Sequence, residues 1–137
     1  SLRDPLLTAA PLTCVERWVW AHCNAERLVA NRRRNYRRLA QHLASMSGGT
    51  VLFPAIAEGA VPYVLPFHVP DAERVYPRLR VARLPVFRWD RFWPGSPSAE
   101  GAGALDWGHR VIQVSCHQDL TDADVDVMAE QIAQALR

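Results

Sequence analysis

The segment VFRWDRFW, residues 86–93, gathers the residue types best suited to holding an anionic ring compound. Arginine pairs with a carboxylate or phosphate through two parallel hydrogen bonds, and tryptophan stacks on a sugar or an aromatic ring. Arg88 is therefore a candidate anion clamp and Trp89 a candidate stacking wall at the rim of a pocket. A surface ion pair of Asp90 with Arg88 or Arg91, beside a core tryptophan, explains the same residues equally well.

A second polar constellation, CHQD, lies between a predicted strand and a predicted helix. His117 at a strand end and near a helix N-terminus can donate to an anion, and Asp119 can orient its ring. Turn chemistry is the favoured alternative, with Asp119 bonding local amides and His117 exposed. Cys116 adjoins His117, but neighbours on a strand point to opposite sides, so we interpret it as an ordinary small apolar residue rather than a nucleophile.

The run RRRNYRR, residues 32–38, first suggests a surface for nucleic acid. On a helix, however, four of its arginines cover the polar side, which is typical of a solvated face balanced by acids. Arg32 instead lies at the centre of the apolar stripe. A guanidinium there requires a paired carboxylate, a route to solvent, or a contact across a domain or subunit boundary.

The composition restricts the chemistry further, because all sixteen basic residues are arginine and none is lysine. A chain without lysine has no amine for a Schiff base or for a lysine general base. The three cysteines have no metal-ligand spacing and predict free thiols in a reducing cytoplasm. A chain of 137 residues with no long apolar run predicts a single domain without a membrane span.

Residues 1–12 lack periodicity and are interpreted as an arm or linker, which leaves 13–137 as the domain. Apolar spacing and capping residues predict helices that begin near residues 13, 24, 71 and 121, a helical turn that ends at 110, and strands at 50–53, 61–69, 85–88 and 111–115. The prediction is an α+β fold in which helices cover one face of a small mixed or antiparallel sheet.

Glycine and proline set several boundaries in this prediction. Gly48 and Gly49 are expected to end the second helix through a left-handed cap. Pro62 and Pro66 cannot donate ladder hydrogen bonds, so their strand is expected at a sheet edge or with irregular pairing. Pro77 should shorten or kink the third helix. The loop 89–106, rich in Trp, Pro, Gly and Ser, is long enough to be functional.

The order of these features resembles the C-terminal small domain of DegT-type aminotransferases, which are sugar-aminotransferase relatives that use pyridoxal phosphate. The resemblance covers roughly residues 25–137 and includes the Leu-Thr-Asp ending at 120–122. It is carried by the segments VANRRRNYRRLAQHL, PYVLPFHV, LRVARLPVFRW and IQVSCHQDLTDADVDVMAEQI.

The resemblance implies that the cofactor-binding lysine belongs to a large N-terminal domain outside this chain. This chain would then bind no cofactor alone, and pyridoxal phosphate would belong to the complete enzyme. Two departures from the family pattern are visible. Arg88-Trp89 stands where the family carries a His-Tyr pair, and Arg83-Leu84 stands where a helix-ending glycine is expected.

Two classes of function follow. The first is a substrate-recognition and closure domain of a cytoplasmic, homo-oligomeric aminotransferase, which cannot transaminate alone and uses Arg88, Trp89 and His117 toward the substrate. The second is a non-enzymatic interaction module that uses its Trp-rich loop. A nucleic-acid binder built on the arginine helix is a weaker third alternative.

Overall fold

The computed structural model describes residues 13–88 and 107–137. The predicted arm 1–12 and the Trp-rich loop 89–106, Trp89 included, lie outside these residues. The described elements, in chain order, are α1 (Cys14–His22), α2 (Ala25–Ala44), β1 (Thr50–Val51), β2 (Val64–His68), α3 (Ala72–Val81), β3 (Val86–Arg88), a helical turn at 107–110, β4 (Val111–Ser115) and α4 (Asp122–Leu136). This order is the one predicted from the sequence.

The four strands form one antiparallel sheet in the order β1-β2-β4-β3. Val51 pairs with Phe67, Leu65 with Val114, and Val86 also with Val114. Side chains alternate across the sheet, and the buried set faces α2, α3 and α4. The predicted α+β class, with helices on one face of a small sheet, is confirmed. The largest fully buried side chains are Phe67, Leu39, Leu43, Leu65, Leu79, Ile112 and Ile132.

The helices begin where the sequence predicts, because polar side chains bond their first free amides. Thr13 and Thr121 each complete a reciprocal capping box, with Glu16 and Asp124 respectively. The Oδ1 atom of Asn24 accepts from the amide of Arg27 at 2.8 Å and starts α2. The exception is α3, where capping by Asp71 is expected from the sequence but is not found: the Asp71 carboxylate bonds no helix amide and accepts from Arg74 Nε at 2.6 Å instead.

Pro66 explains why β1 is only two residues long. The expectation that its strand lies at a sheet edge is wrong, because β2 pairs with β1 on one side and β4 on the other. The alternative, irregular pairing, is what the structure shows. The carbonyl of Pro66 accepts from the amide of Leu52 at 3.2 Å, but proline has no N–H to return the bond. The ladder between β1 and β2 stops there.

The two glycines after α2 have different roles from the predicted helix cap. The helix is already capped at Ser45. Gly48 has a φ of 96° and turns the chain toward β1. Gly49 packs against the ring of Phe67, and this ring leaves no room for a side chain at position 49.

The end of α3 places an arginine in a conformation that favours glycine. Arg83 has a φ of 59°. It stands at the position where the family resemblance described above implies a helix-ending glycine. Its amide bonds the carbonyl of Arg80 at 3.0 Å, and the amide of Leu84 bonds that of Leu79 at 3.1 Å. This pair of bonds is the Schellman motif. The motif therefore forms here with an L-residue at its left-handed position.

Replacing Arg83 with glycine is expected to stabilise the fold by about 1 kcal/mol, because a left-handed L-residue is strained by about that amount. Denaturant unfolding measures the change. The control is Arg78→Gly, the same substitution inside α3, which is expected to destabilise by about 1 kcal/mol. Loss of stability in both variants would show that Arg83 bears no strain.

Candidate functional site

Two polar clusters lie at opposite ends of β4. The first, which we call the Arg88 cluster, comprises Arg88, Glu73, Tyr76 and His109. The Arg88 guanidinium contacts the Glu73 carboxylate with both terminal nitrogens, at 3.0 and 3.4 Å, and lies 5.0 Å from the ring centre of Tyr76. His109 Nδ1 lies 3.9 Å from the same carboxylate.

The two side chains of this ion pair differ in their exposure to solvent. The side chain of Arg88 is 10% exposed, whereas that of Glu73 is 72% exposed. The sequence offered Asp90 as the carboxylate partner of Arg88, but Asp90 lies outside the described residues. The carboxylate that the structure places on Arg88 is that of Glu73, in the first turn of α3. A ligand anion would have to approach beside Glu73 or replace it.

The second cluster lies in the turn between β4 and α4, residues 116–121, which is fastened to α2. Asn31 Nδ2 donates to the carbonyl of Gln118 at 3.0 Å. Asn35 Nδ2 donates to the carbonyl of His117 at 2.7 Å and to that of Leu120 at 3.2 Å. Asn35 is fully buried, so its side-chain amide needs these backbone partners; the Leu120 carbonyl also accepts from Arg34 Nη2 at 3.2 Å.

Gln118 connects Arg32 to His117 through its side-chain amide. Arg32 Nε lies 2.9 Å from Gln118 Oε1 and can only donate, which sets the amide oxygen toward Arg32. Gln118 Nε2 therefore faces His117 Nε2 at 3.1 Å, and donates to it. On the other side of the ring, His117 Nδ1 lies 3.5 Å from Asp119 Oδ2 and 3.4 Å from the amide nitrogen of Asp119.

The placement of Asp119 beside the His117 ring agrees with the orienting contact considered from the sequence. His117 is also substantially exposed, at 42% of its side chain, as the turn interpretation expects. The bonds from local amides to the Asp119 carboxylate that the turn interpretation also expects are not found among the described residues. The ring is held on one side by Gln118 and on the other by Asp119.

Cys116 is an inert thiol in this structure. It is fully buried, and its Sγ lies 3.7 Å from the carbonyl of Val114. Burial raises the pKa of the Cys116 thiol to about 12, so the nucleophilic thiolate is not populated at neutral pH. The preference for an ordinary apolar role over a catalytic one agrees with this environment.

Most of the arginine run is used within the fold. Arg34 Nε lies 3.2 Å from Asp122, and Arg38 makes two bonds of 2.7 Å to Asp126. The hydrogen bonds from the Arg38 guanidinium lower the pKa of Asp126 to about 2, so this carboxylate stays ionised at neutral pH. The balance by acids predicted for this face is present, and it joins α2 to α4.

Arg32 differs from its neighbours, as its place in the apolar stripe predicts. Of the alternatives considered for it, a paired carboxylate is not found among the described residues. Its neighbours are instead the amide oxygen of Gln118 and the ring of Tyr63, whose centre lies 5.4 Å from Cζ of Arg32.

An open groove of about 360 Å³ lies beside this second cluster, between the first half of α2 and the turn. Its lining carries charges of both signs, from Arg27, Arg34, Asp119 and Asp122, together with Asn31 and Gln118. A lining of this kind suits a polar ligand rather than an apolar one.

The fold does not bring Arg88 and His117 together. Arg88 pairs with Ile112 near the start of β4, whereas His117 follows the end of that strand. Five residues of extended chain separate the two levels by about 16 Å. Among the described residues, no cluster of histidine, cysteine and carboxylate groups could hold a metal ion.

The sequence has no match among known protein families and none among curated proteins. Solved structures, however, share its fold. The aminotransferase TlmJ from Streptoalloteichus hindustanus aligns with a TM-score of 0.66 and 22% identity, over 81% of this chain and 32% of that one. DesV from S. venezuelae, solved in complex with a ketimine intermediate, aligns with a TM-score of 0.71 and 14% identity, over 90% of this chain and 35% of that one.

The sugar aminotransferase CalS13 from Micromonospora echinospora aligns with a TM-score of 0.65 and 19% identity, over 81% of this chain and 31% of that one. The chain therefore spans about a third of the length of these structures. Its fold is one that these three solved structures contain, which confirms the resemblance at the level of the fold.

The residues of this chain do not fit the covalent attachment of pyridoxal phosphate. That attachment requires a lysine amine, and the sequence contains no lysine. Among the described residues, no helix is long and apolar enough to cross a bilayer.

Proposed function

We propose that the chain is the substrate-recognition and closure domain of a DegT-like, pyridoxal-phosphate-dependent aminotransferase. The likeness of its fold to about a third of each of three solved proteins supports this assignment. The absence of lysine from the sequence supports a division of labour. A lysine-bearing large domain would perform the covalent chemistry, and this domain would contribute contacts to the substrate.

Within this proposal, Arg88 binds an anionic group of the substrate, Trp89 stacks on it, and His117 supplies a polar group from the far end of β4. The low exposure of the Arg88 guanidinium supports a role for it in a closed site, where a charge-assisted hydrogen bond is strong. The exposed Glu73 carboxylate then holds the guanidinium in place until an anion displaces it. The complete protein is proposed to be a cytoplasmic homo-oligomer.

Replacing Arg88 with alanine in the complete enzyme is expected to lower kcat/KM about tenfold, because one charge-assisted hydrogen bond contributes at least about 1.5 kcal/mol. Steady-state kinetics measures the loss, and thermal unfolding checks that the fold is kept. An unchanged kcat/KM would contradict the clamp.

Glu73→Gln is the matched control, because it breaks the same ion pair and leaves the guanidinium in place. If Arg88 binds substrate, this variant retains or improves KM. If Arg88 serves only to hold Glu73, both variants lose stability equally and neither changes KM selectively.

The sequence of the gene on both sides of the chain distinguishes the proposal from the interaction module. A lysine-bearing domain in the same reading frame, or a partner chain that carries one, is what the proposal expects. If neither exists, the non-enzymatic module becomes the better explanation of this fold.

A further inference from the structure

Arg32 has an unusual environment for a guanidinium on the buried side of a helix. It is half-buried, and it makes no ion pair with a carboxylate within residues 13–88 and 107–137. By contrast, Arg34 and Arg38 on the same helix pair with Asp122 and Asp126. A partly desolvated positive charge without a counterion is costly, so this position favours an anion from outside.

The guanidinium is also held in one orientation. Gln118 Oε1 accepts from Arg32 Nε at 2.9 Å, and the Tyr63 ring lies 5.4 Å from its Cζ. Gln118 cannot rotate freely, because its Nε2 donates to His117 at 3.1 Å. Two neighbours therefore fix the plane of the Arg32 side chain before any ligand arrives, which reduces the entropy cost of binding.

This arrangement leaves one edge of the guanidinium open. Nε is used by Gln118, whereas Nη1 and Nη2 of Arg32 donate to no acceptor in the described part of the chain. The two terminal N–H groups point in parallel and match two oxygens of one carboxylate or phosphate. The ring of Tyr63 beside them is 56% exposed, so the approach is open to solvent.

We propose that Arg32 and Tyr63 form a binding site for an oxyanion, a carboxylate or a phosphate group, with Arg32 as the binding residue. Gln118 and His117 are positioning residues that hold the guanidinium edge toward the solvent. The site lies at the end of β4 away from Arg88. It shares His117 with the proposed substrate site, but it rests on the contacts of Arg32 and not on the aminotransferase role.

An NMR titration of the chain with inorganic phosphate, and separately with acetate, tests the site. The Arg32 Nε–Hε resonance and the Gln118 side-chain amide are expected to shift saturably, with a Kd in the millimolar range for one of the two anions. Tighter binding of phosphate identifies a phosphate ligand, and tighter binding of acetate a carboxylate.

Two variants make the result specific. Arg32→Gln should abolish the saturable shifts, whereas Arg37→Gln, the same change at an exposed position of α2, should retain them. Gln118→Glu places a carboxylate against Arg32 and should weaken anion binding at least about tenfold while the circular dichroism spectrum is unchanged.

The proposal is overturned if neither anion gives saturable shifts, or if Arg37→Gln weakens binding as much as Arg32→Gln does. It is also overturned if Gln118→Glu binds both anions like the unmodified chain. Because the glutamate variant retains Arg32, it keeps the test valid even if Arg32→Gln does not fold.

Discussion

Alanine in place of Gly49 is expected to destabilise the fold by about 3 kcal/mol, the upper end of the usual cost of overpacking a core. A Cβ at this position would overlap three carbons of the Phe67 ring, two of them at 2.6 and 2.9 Å. Phe67 is 1% exposed and lies in β2, which is paired on both sides, so its ring cannot move aside cheaply. Thermal unfolding should show a fall of about 10 °C in Tm.

Gly59→Ala is the control for this prediction. Gly59 has a φ of 77°, yet nothing lies within 4 Å of a Cβ built there. Only backbone strain of about 1 kcal/mol is then expected. A second check is Phe67→Leu in the Gly49→Ala background, which should recover part of the loss. Equal destabilisation by the two alanine variants would mean that contact with Phe67 is not the cause.

Asn35→Ala is expected to cost about 3 kcal/mol, because it removes a buried amide and leaves two backbone carbonyls without that donor. These carbonyls belong to His117 and Leu120. The turn between β4 and α4 should loosen with it. Denaturant unfolding measures the free energy, and amide hydrogen exchange at residues 117–121 measures the local opening.

Asn31→Ala provides the comparison, since Asn31 is only half-buried and makes a single bond to the Gln118 carbonyl. About 1 kcal/mol is expected there. If Asn31→Ala lowers the free energy of unfolding as much as Asn35→Ala does, then burial of the side-chain amide does not determine how strongly α2 holds the turn.

The helices could be predicted closely because their signals are local. Thr121 followed three residues later by Asp124 specifies a capping box whatever the rest of the chain does. The period of apolar residues in α2 likewise specifies which side faces the sheet. The strand predicted at 111–115 matches β4, whereas the ranges predicted for the other three strands are longer than β1, β2 and β3. Pairing partners set the ends of strands, as Pro66 does for β1.

The polar contacts of the candidate site could not be predicted, because they join residues distant in sequence. Asn35 stands inside an arginine run and resembles a surface residue, yet it bonds a carbonyl 82 positions away. The only local signal was its place beside Tyr36 on the apolar side. For Arg32, the need for a partner was predictable, but an amide rather than a carboxylate fills it.

The arrest of the β1 ladder at Pro66 has a consequence for how molecules of this chain meet one another. The described parts of the outer strands β1 and β3 are two and three residues long. Each therefore presents few free amides and carbonyls to a second copy of the chain. Short outer strands discourage the edge-to-edge stacking that begins fibril growth. Pro66, one strand inward, thus limits the length of the β1 edge with which a second copy could pair.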